Sequence, residues 1–273
     1  MPELPEVETV KETLKKKIIG KTIIDVKINY DKIIKYPNFI EFKTQIIKQT
    51  FLDIKRRGKW LMFELNDYYL LSHLRMEGKY NLKAVKTKLD KHDHIIFKLD
   101  NDQVLKYNDL RKFGRMHLIK KEEVFNKEPL KDLGLEPNDK QLTVEYLKKK
   151  YKNKRIPIKT TLLDQTIITG IGNIYANEIL FLSKINPLKP TKELTEQEIQ
   201  SIINNTKKVL TEAIKKGGTT IKSYTSSEGI HGRFQQELLV HGKEHELCNR
   251  CNSPITKIKV GGRGTYYCKK CQQ

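Results

Sequence analysis

No cysteine occurs in the first 247 of the 273 residues; the four in the chain, Cys248, Cys251, Cys268 and Cys271, all fall at its end. This excludes a disulfide framework and points to a local metal site in a reducing compartment. Long apolar runs are also lacking. None approaches the ~20 residues needed to cross a bilayer, and nothing near the start resembles the apolar core of a secretion signal. The expectation is a cytoplasmic chain that does not engage a membrane. Acid is scarce against base: 33 Asp+Glu face 53 Lys+Arg, a formal net charge of +20. Part of the lysine belongs to a composition that is also rich in Ile and Asn, but the excess over glutamate goes further. A charge of this sign and size calls for a polyanionic partner, most simply nucleic acid. Internal repeats are absent too.

The length suits one large domain or two smaller ones. Residues 3–17 read as a helix: Val7, Val10 and Leu14 recur at the spacing of one buried face, and Gly20 ends the run. Over 22–119 the pattern changes to short β-rich runs at 22–28, 60–65, 69–73, 94–99, 104–107 and 115–119. Turn signals such as Asn66-Asp67, Glu77-Gly78 and Asp100-Asn101-Asp102 part them. Successive short strands of this kind pack as a two-layer sandwich or barrel. Pro, Gly and Asn then punctuate 128–139. Helical spacing returns at 144–151, 159–164, 173–182 and 195–216, with a short segment around Thr220. Thr195 and Glu198 stand at capping-box spacing, and Gly217-Gly218 stops the long helix. The fold class expected is α+β. A helix and β-sandwich occupy residues 1–128, a linker 129–139, a helical domain 140–237 and a zinc-finger β-hairpin 238–273.

The cysteines form two CxxC pairs with sixteen residues between them, the spacing of a four-thiolate structural zinc site. Strands at 255–260 and 265–267 would make a hairpin between the pairs. Its turn would be Gly261-Gly262-Arg263-Gly264, presenting Arg263 as a rigid probe for phosphate. The turn Thr169-Gly170-Ile171-Gly172-Asn173 leads into a helix, whose free N–H groups suit phosphate. Lys55-Arg56-Arg57-Gly58-Lys59-Trp60 is a basic cluster entering a strand. Leu110-Arg111-Lys112-Phe113-Gly114 places cation and aromatic on one turn, and Met76 falls at what reads as a hairpin tip. Proteins that extrude a base fill the gap with such side chains.

The start of the chain adds a nucleophile. Met1 precedes a compact residue and is removable, which leaves Pro2 with a free secondary amine. Its pKa should sit near the ~8 of an α-amino group, well below the ~10.4 of lysine, so it can attack a carbonyl-like carbon and form an imine. Glu3 beside it can move the protons.

Together these segments resemble the formamidopyrimidine-DNA glycosylases, bacterial base-excision enzymes for oxidised guanines. The likeness covers essentially the whole chain in order: MPELPEVET, RRGKWL, HLRMEGK, HDHIIF, LRKFGR, LLDQTIITGIGNIYANEIL, GGTT, GRFQQEL and VGGRGTYYC. It implies that Pro2 attacks C1′ of the damaged nucleotide, that Glu3 shuttles protons and that Glu6 supports the N-terminal helix and the site. It implies that Lys59 assists β-elimination, and that Arg263 grips the phosphates flanking the flipped nucleotide and assists δ-elimination. Asn173, on a helix–two-turn–helix, shares that phosphate contact. His73 and His92 are further DNA contacts, and so is a basic residue among 152–155, taken as Lys154. Met76, Arg111 and Phe113 become the void-filling triad, with Arg111 facing the orphaned cytosine. A loop from Gly217 to about residue 232 closes over the everted base. Cys248, Cys251, Cys268 and Cys271 hold one structural zinc, with no catalytic cofactor. The implied partner is duplex DNA with an oxidised purine opposite cytosine, bound by a monomer.

Two departures are visible. The run Val240-His241-Gly242-Lys243-Glu244 stands where the family usually has Tyr-Gly-Arg-Glu-Gly, and Asn252 stands where Gly is common. A rival resemblance, to the endonuclease VIII group, would start Pro-Glu-Gly-Pro-Glu; here Leu4 fills the third place, and the Arg111/Phe113 turn suits the purine enzyme. A non-catalytic zinc-ribbon DNA binder would suit charge and cysteines but not Pro2-Glu3.

Overall fold

The computed structural model describes residues 1–219 and 233–273. It divides into two compact units, residues 1–131 with Thr219, and residues 132–218 with 233–273. The helix expected around Thr220 and most of the loop expected to close over a base lie outside the described residues.

In the first unit, helix α1 spans Leu4–Ile18 and buries Leu4, Val7, Val10, Leu14 and Ile18. Pro5 falls in its first turn, where a missing N–H costs nothing, and the Glu6 carboxylate returns to accept the Glu3 N–H at 2.8 Å. A four-stranded sheet has the order β1 (Ile23–Ile28), β7 (Asp93–Leu99), β8 (Gln103–Asn108), β6 (Lys79–Ala84). A five-stranded sheet has the order β2 (Ile34–Tyr36), β9 (Arg115–Lys120), β5 (Tyr68–His73), β4 (Trp60–Glu64), β3 (Asp53–Arg57). One core joins helix and sheets. Val10 and Ile18 pack with Ile23, Phe97 and Leu105 of the first sheet and Ile54, Phe63 and Leu118 of the second. This is the β-sandwich that the strand pattern predicts.

Some local findings differ from the sequence reading. Strands β2, β3 and β6 and helix α2 (Phe39–Ile46) were not among the expected runs, because β3 and β6 are rich in Lys and Arg and β2 and α2 are short. The start of α2 does carry a cap: the Asn38 side chain accepts the N–H groups of Ile40 and Glu41. Met76 does not top a hairpin, since β5 and β6 belong to different sheets and residues 74–78 cross between layers. The reason is burial. β5 is apolar on both faces and fits between β4 and β9, whereas β6, half exposed with Lys79, Asn81 and Lys83 on one face, fits an edge.

The second unit holds α3 (Val144–Tyr151), α4 (Ile158–Leu162), α5 (Asn173–Leu182) and α6 (Glu196–Lys215). The expected capping box is present at α6: Thr195 Oγ1 accepts the Glu198 N–H and Glu198 accepts the Thr195 N–H. Helix α5 is buried almost all round, from Tyr175 to Phe181, including Asn177 and Glu178. A hairpin of β10 (Thr256–Val260) and β11 (Arg263–Tyr267) lies between the cysteine pairs. Its turn is Gly261-Gly262 alone, at φ +53° and +75°. A two-residue turn with both residues left-handed needs glycine. Arg263 therefore opens β11 opposite Val260 and is not inside the turn, a correction to the sequence reading. Among the described residues no helix is long and apolar enough to cross a membrane.

Candidate active site

Four charged side chains gather around the N-terminal amine in the first unit. Burial holds the Met1 amine below its ordinary 8.0; nearby Glu3, Glu6 and Glu77 oppose the shift and Lys59 adds to it. Glu3 and Glu6 are each 2% exposed and Lys59 is 5% exposed. Both Glu6 oxygens are committed. Oε2 accepts the Glu3 N–H, while Oε1 accepts the N–H of Thr219 at 2.8 Å and its hydroxyl at 3.1 Å. Glu6 thus fixes the first peptide units and the point from which segment 220–232 departs.

Lys59 occupies a two-residue turn between the paired Arg57 and Trp60, with Gly58 at φ +56°. Arg56 fastens this turn to α1, donating to Glu8 Oε2 at 2.7 Å and to the Gly58 carbonyl at 2.9 Å. Behind Lys59, Trp60 lies edge-on between His73 and His117, at ring separations of 4.9 and 5.5 Å. His73 Nδ1 accepts the Arg75 N–H at 3.0 Å, so its proton sits on Nε2, a neutral donor suited to phosphate. Burial, with Arg75, Lys59 and Arg115 nearby, pushes the His73 pKa down to about 3.

Neutral buried imidazoles make stability depend on pH. His117 and His241 are likewise depressed, to about 4, chiefly by burial. Below pH 6.5 the unfolded chain takes up protons that the folded chain refuses. Their contribution is complete above 6.5 and is lost as pH falls toward the folded values. At pH 5 His73 alone would remove about 2 kcal/mol. The thermal midpoint should therefore drop steadily from pH 7 to pH 5; a flat midpoint would contradict the assignment.

The void-filling candidates sit on two loops of the same unit. Phe113 is 51% exposed, with the Arg111 guanidinium 4.7 Å from its ring centre. An exposed phenylalanine under a cation, on a turn with Lys112 at φ +56°, is displayed to solvent and not stored in the core. Met76 is half-buried on the 74–78 crossover, where Arg75 has φ +55°. His92 is half-buried; its N–H donates to Asp90 Oδ1 at 2.8 Å and its ring stands 6.5 Å from that of His94.

In the second unit α5 meets the 239–273 segment at three levels. Asn173, its first residue, donates from Nδ2 to the Gly264 carbonyl at 3.0 Å, next to exposed Arg263. The Glu178 carboxylate accepts the N–H groups of Leu239, Val240 and His241 at 2.7–3.1 Å. Arg250 donates to the Phe181 carbonyl at 2.8 Å and stacks over its ring. Lys154 pairs with Asp164 at 3.3 Å. It is Lys159, fully buried, that lies beside Asn173, bonded to Asn177 Oδ1 and 3.4 Å from the Asn173 carbonyl. The Sγ atoms of Cys248, Cys251, Cys268 and Cys271 all lie within 4.8 Å of one another. Tetrahedral zinc at ~2.3 Å from each sulfur spaces the sulfurs about 3.8 Å apart, so the four fit one ion.

A model of the formamidopyrimidine-DNA glycosylase N-terminal domain matches residues 1–116, and a model of the H2TH domain of the same enzymes matches 133–225. A zinc finger found in FPG and IleRS matches 242–273. Formamidopyrimidine-DNA glycosylases of Oceanobacillus iheyensis and Bacillus cereus are each 47% identical over 273 residues, covering 100% of this chain and 98% and 99% of theirs. The chain belongs to the formamidopyrimidine-DNA glycosylase family. A Lactococcus lactis FPG variant solved with a Fapy-dG containing DNA superposes at a TM-score of 0.94, with 42% identity and full coverage of both chains. The Lactococcus lactis Fpg with an abasic site containing DNA gives 0.93. As in the family's finger, the four cysteines bind one structural zinc.

Several residues of the two units drew no role from the sequence. Glu77, Thr219 and Arg56 lie inside HLRMEGK, GGTT and RRGKWL, but what they do depends on contacts across the fold. Lys159 does leave a signal, a lone charge between Ile158 and the Leu162-Leu163 pair.

Proposed function

We propose that the chain excises oxidised purines from duplex DNA and then cleaves the strand, with the Pro2 amine, freed by loss of Met1, as nucleophile. The observation that carries this is the half-buried amine of Met1, next to buried Pro2 and held below its ordinary pKa by burial beside Glu3, Glu6, Lys59 and Glu77. Family membership supports the substrate class. Pro2 nitrogen forms a bond to C1′ as the C1′–base bond breaks, and the base leaves with the electron pair and a proton. Opening of the C1′–O4′ bond gives an iminium, with Glu3 supplying the proton to O4′. The iminium acidifies C2′; loss of that proton expels the 3′ phosphate oxygen with its bonding pair. Loss of the C4′ proton expels the 5′ phosphate in the same way, and water releases Pro2. Lys59 serves the first elimination and Arg263 the second.

Met76, Arg111 and Phe113 fill the vacated space, Arg111 toward the orphaned cytosine. His73, His92, Asn173 and Arg263 hold the DNA, and Lys154 joins them only by exchanging Asp164 for a phosphate. The protein acts as a monomer. Oxidised pyrimidines are a secondary substrate on this reading, since wild-type Lactococcus lactis FPG has been solved with an oxidised pyrimidine containing DNA.

The test is borohydride trapping of Met-free protein on a duplex with 8-oxoguanine opposite cytosine, with the adduct located by peptide mass spectrometry. An adduct on Pro2 is expected; its absence here and on an abasic duplex overturns the nucleophile. The pH profile is a second check. The amine must be unprotonated. Burial holds the Met1 amine, one residue ahead, below its ordinary 8.0, and Pro2 is buried too, so the Pro2 amine is expected to shift the same way and single-turnover excision to rise with pH to a plateau. An acid limb centred well above the ~8 of an ordinary α-amine contradicts the assignment.

A further inference from the structure

We propose that Tyr107 and Asp109 form a latch that ties the Met76 loop to the Arg111–Phe113 loop, so that both enter the duplex in one step, a proposal that rests on the reading of Met76 and Phe113 as wedges. Tyr107 is fully buried near the end of β8. A side-chain carbon at Gly78 would lie 2.2 Å from Tyr107 Oη, and one at Gly114 would lie 1.8 Å from it. The backbones of both loops therefore close on the same hydroxyl: Gly78 ends the loop that carries Met76, and Gly114 ends the one that carries Phe113. No other residue type fits at either place while Tyr107 keeps its position.

Asp109 completes the device. It is fully buried, and its Oδ2 accepts the Gly114 N–H at 2.8 Å while lying 3.4 Å from Tyr107 Oη. Oδ1 accepts the Arg111 N–H at 3.1 Å, and the Asp109 carbonyl bonds His94 Nε2 at 2.8 Å. On the other side, the Tyr107 ring stands edge-on to its cross-strand partner Tyr80 at 5.2 Å. Tyr80 in turn donates to Ser72 Oγ at 2.8 Å, on the strand that runs into the Met76 loop. A continuous buried path thus joins the two loops through the gap between sheets, and a displacement of one is passed to the other. Neither Tyr107 nor Asp109 meets DNA; both are positioning residues.

The test uses full-length protein and two duplexes with 8-oxoguanine opposite cytosine, mixed in a stopped-flow instrument. One carries 2-aminopurine beside the lesion, the other beside the orphaned base. With the latch intact both probes should brighten with one rate constant, and Met76→Ala or Phe113→Ala should slow both together. In Tyr107→Phe the two rate constants should separate by about threefold or more, and each truncation should slow only one probe. A shared rate constant that survives in Tyr107→Phe, or two rate constants already in the unaltered protein, overturns the latch alone. Silent Met76→Ala and Phe113→Ala variants overturn the wedge reading and the latch with it. Asp109→Asn, which keeps one acceptor oxygen and so cannot accept both the Arg111 and the Gly114 N–H, should reproduce Tyr107→Phe. Thermal melting and binding to undamaged duplex, both expected to stay near the unaltered values in Tyr107→Phe, separate the latch from general loss of structure.

Discussion

A chain extended ahead of Met1, so that the Pro2 nitrogen stays acylated, is expected to bind duplex DNA and excise nothing. Acylation delocalises the lone pair into an amide, which does not attack C1′. The nearest replacement amine sits at least one residue away, a step of about 3.8 Å between Cα atoms, whereas attack needs the reacting atoms held at ~3–3.5 Å. Losing a covalent nucleophile leaves only the background from binding and electrostatics, so excision should fall by about 10⁴-fold or more. Binding should persist, because it draws mainly on phosphate contacts and leaves Lys59, His73, Asn173 and Arg263 in place. Single-turnover excision, borohydride trapping and affinity for an abasic-analogue duplex would be measured side by side on the extended and Met-free chains. Undiminished excision by the extended chain would remove Pro2 from the mechanism, and a parallel loss of affinity would show that the extension had merely blocked the DNA.

What the sequence made legible follows from where the information lies. Helix α6 begins and ends where Thr195, Glu198 and Gly217 say it should, because caps and stops are local chemistry. Strands β1, β4, β5, β7, β8 and β9 were visible for the same reason, through short β-rich runs between turn residues, while lysine- and arginine-rich β3 and β6 and three-residue β2 were not. Pairing is not local, and there the reading failed. Nothing in Leu74-Arg75-Met76-Glu77-Gly78 tells that the strands on either side enter different sheets. The run Gly261-Gly262-Arg263-Gly264 offers more than one possible turn, and only the pairing of Lys259 with Gly264 decides that Arg263 belongs to a strand. In the site, Pro2, Lys59 and Arg263 could be put forward because motifs carry them, and the clustered cysteines because of their spacing. Thr219 drew no role although GGTT contains it, since its partner Glu6 lies 213 positions away. Tyr107 and Asp109 were passed over because a buried tyrosine and a turn aspartate are ordinary alone; what distinguishes them is the two glycines brought to one hydroxyl.

Removing zinc should abolish excision and tight DNA binding together while sparing the core of the first unit. The finger cannot hold itself. Its apolar cluster is Val240, Ile255 and the thiols of Cys248 and Cys268 against Phe181, and its hairpin has two strands of five residues. Isolated hairpins of that kind are marginal in water, whereas a structural zinc supplies on the order of 10–16 kcal/mol to folding near neutral pH. The ties to α5 do not replace the metal. Glu178 and Phe181 grip residues 239–241 and Arg250, at the base of the finger. Nearer Arg263 the ties are slight: the Asn173–Gly264 bond and the packing of Thr160 against Gly261. Without the ion Arg263 loses the rigid strand that presents it. Chelation, or Cys251→Ser or Cys268→Ser, should therefore release one zinc per chain and loosen the hairpin. Arg263→Ala in zinc-loaded protein is the informative contrast. It leaves the finger folded and removes one cation, so the slope of log affinity against log salt should fall by about one unit. If the metal-free protein kept its hairpin and its affinity, the finger would be held by α5 and not by zinc. If Arg263→Ala left the salt slope unchanged, Arg263 would not be a phosphate contact, and the finger's contribution would have to come from elsewhere on its surface.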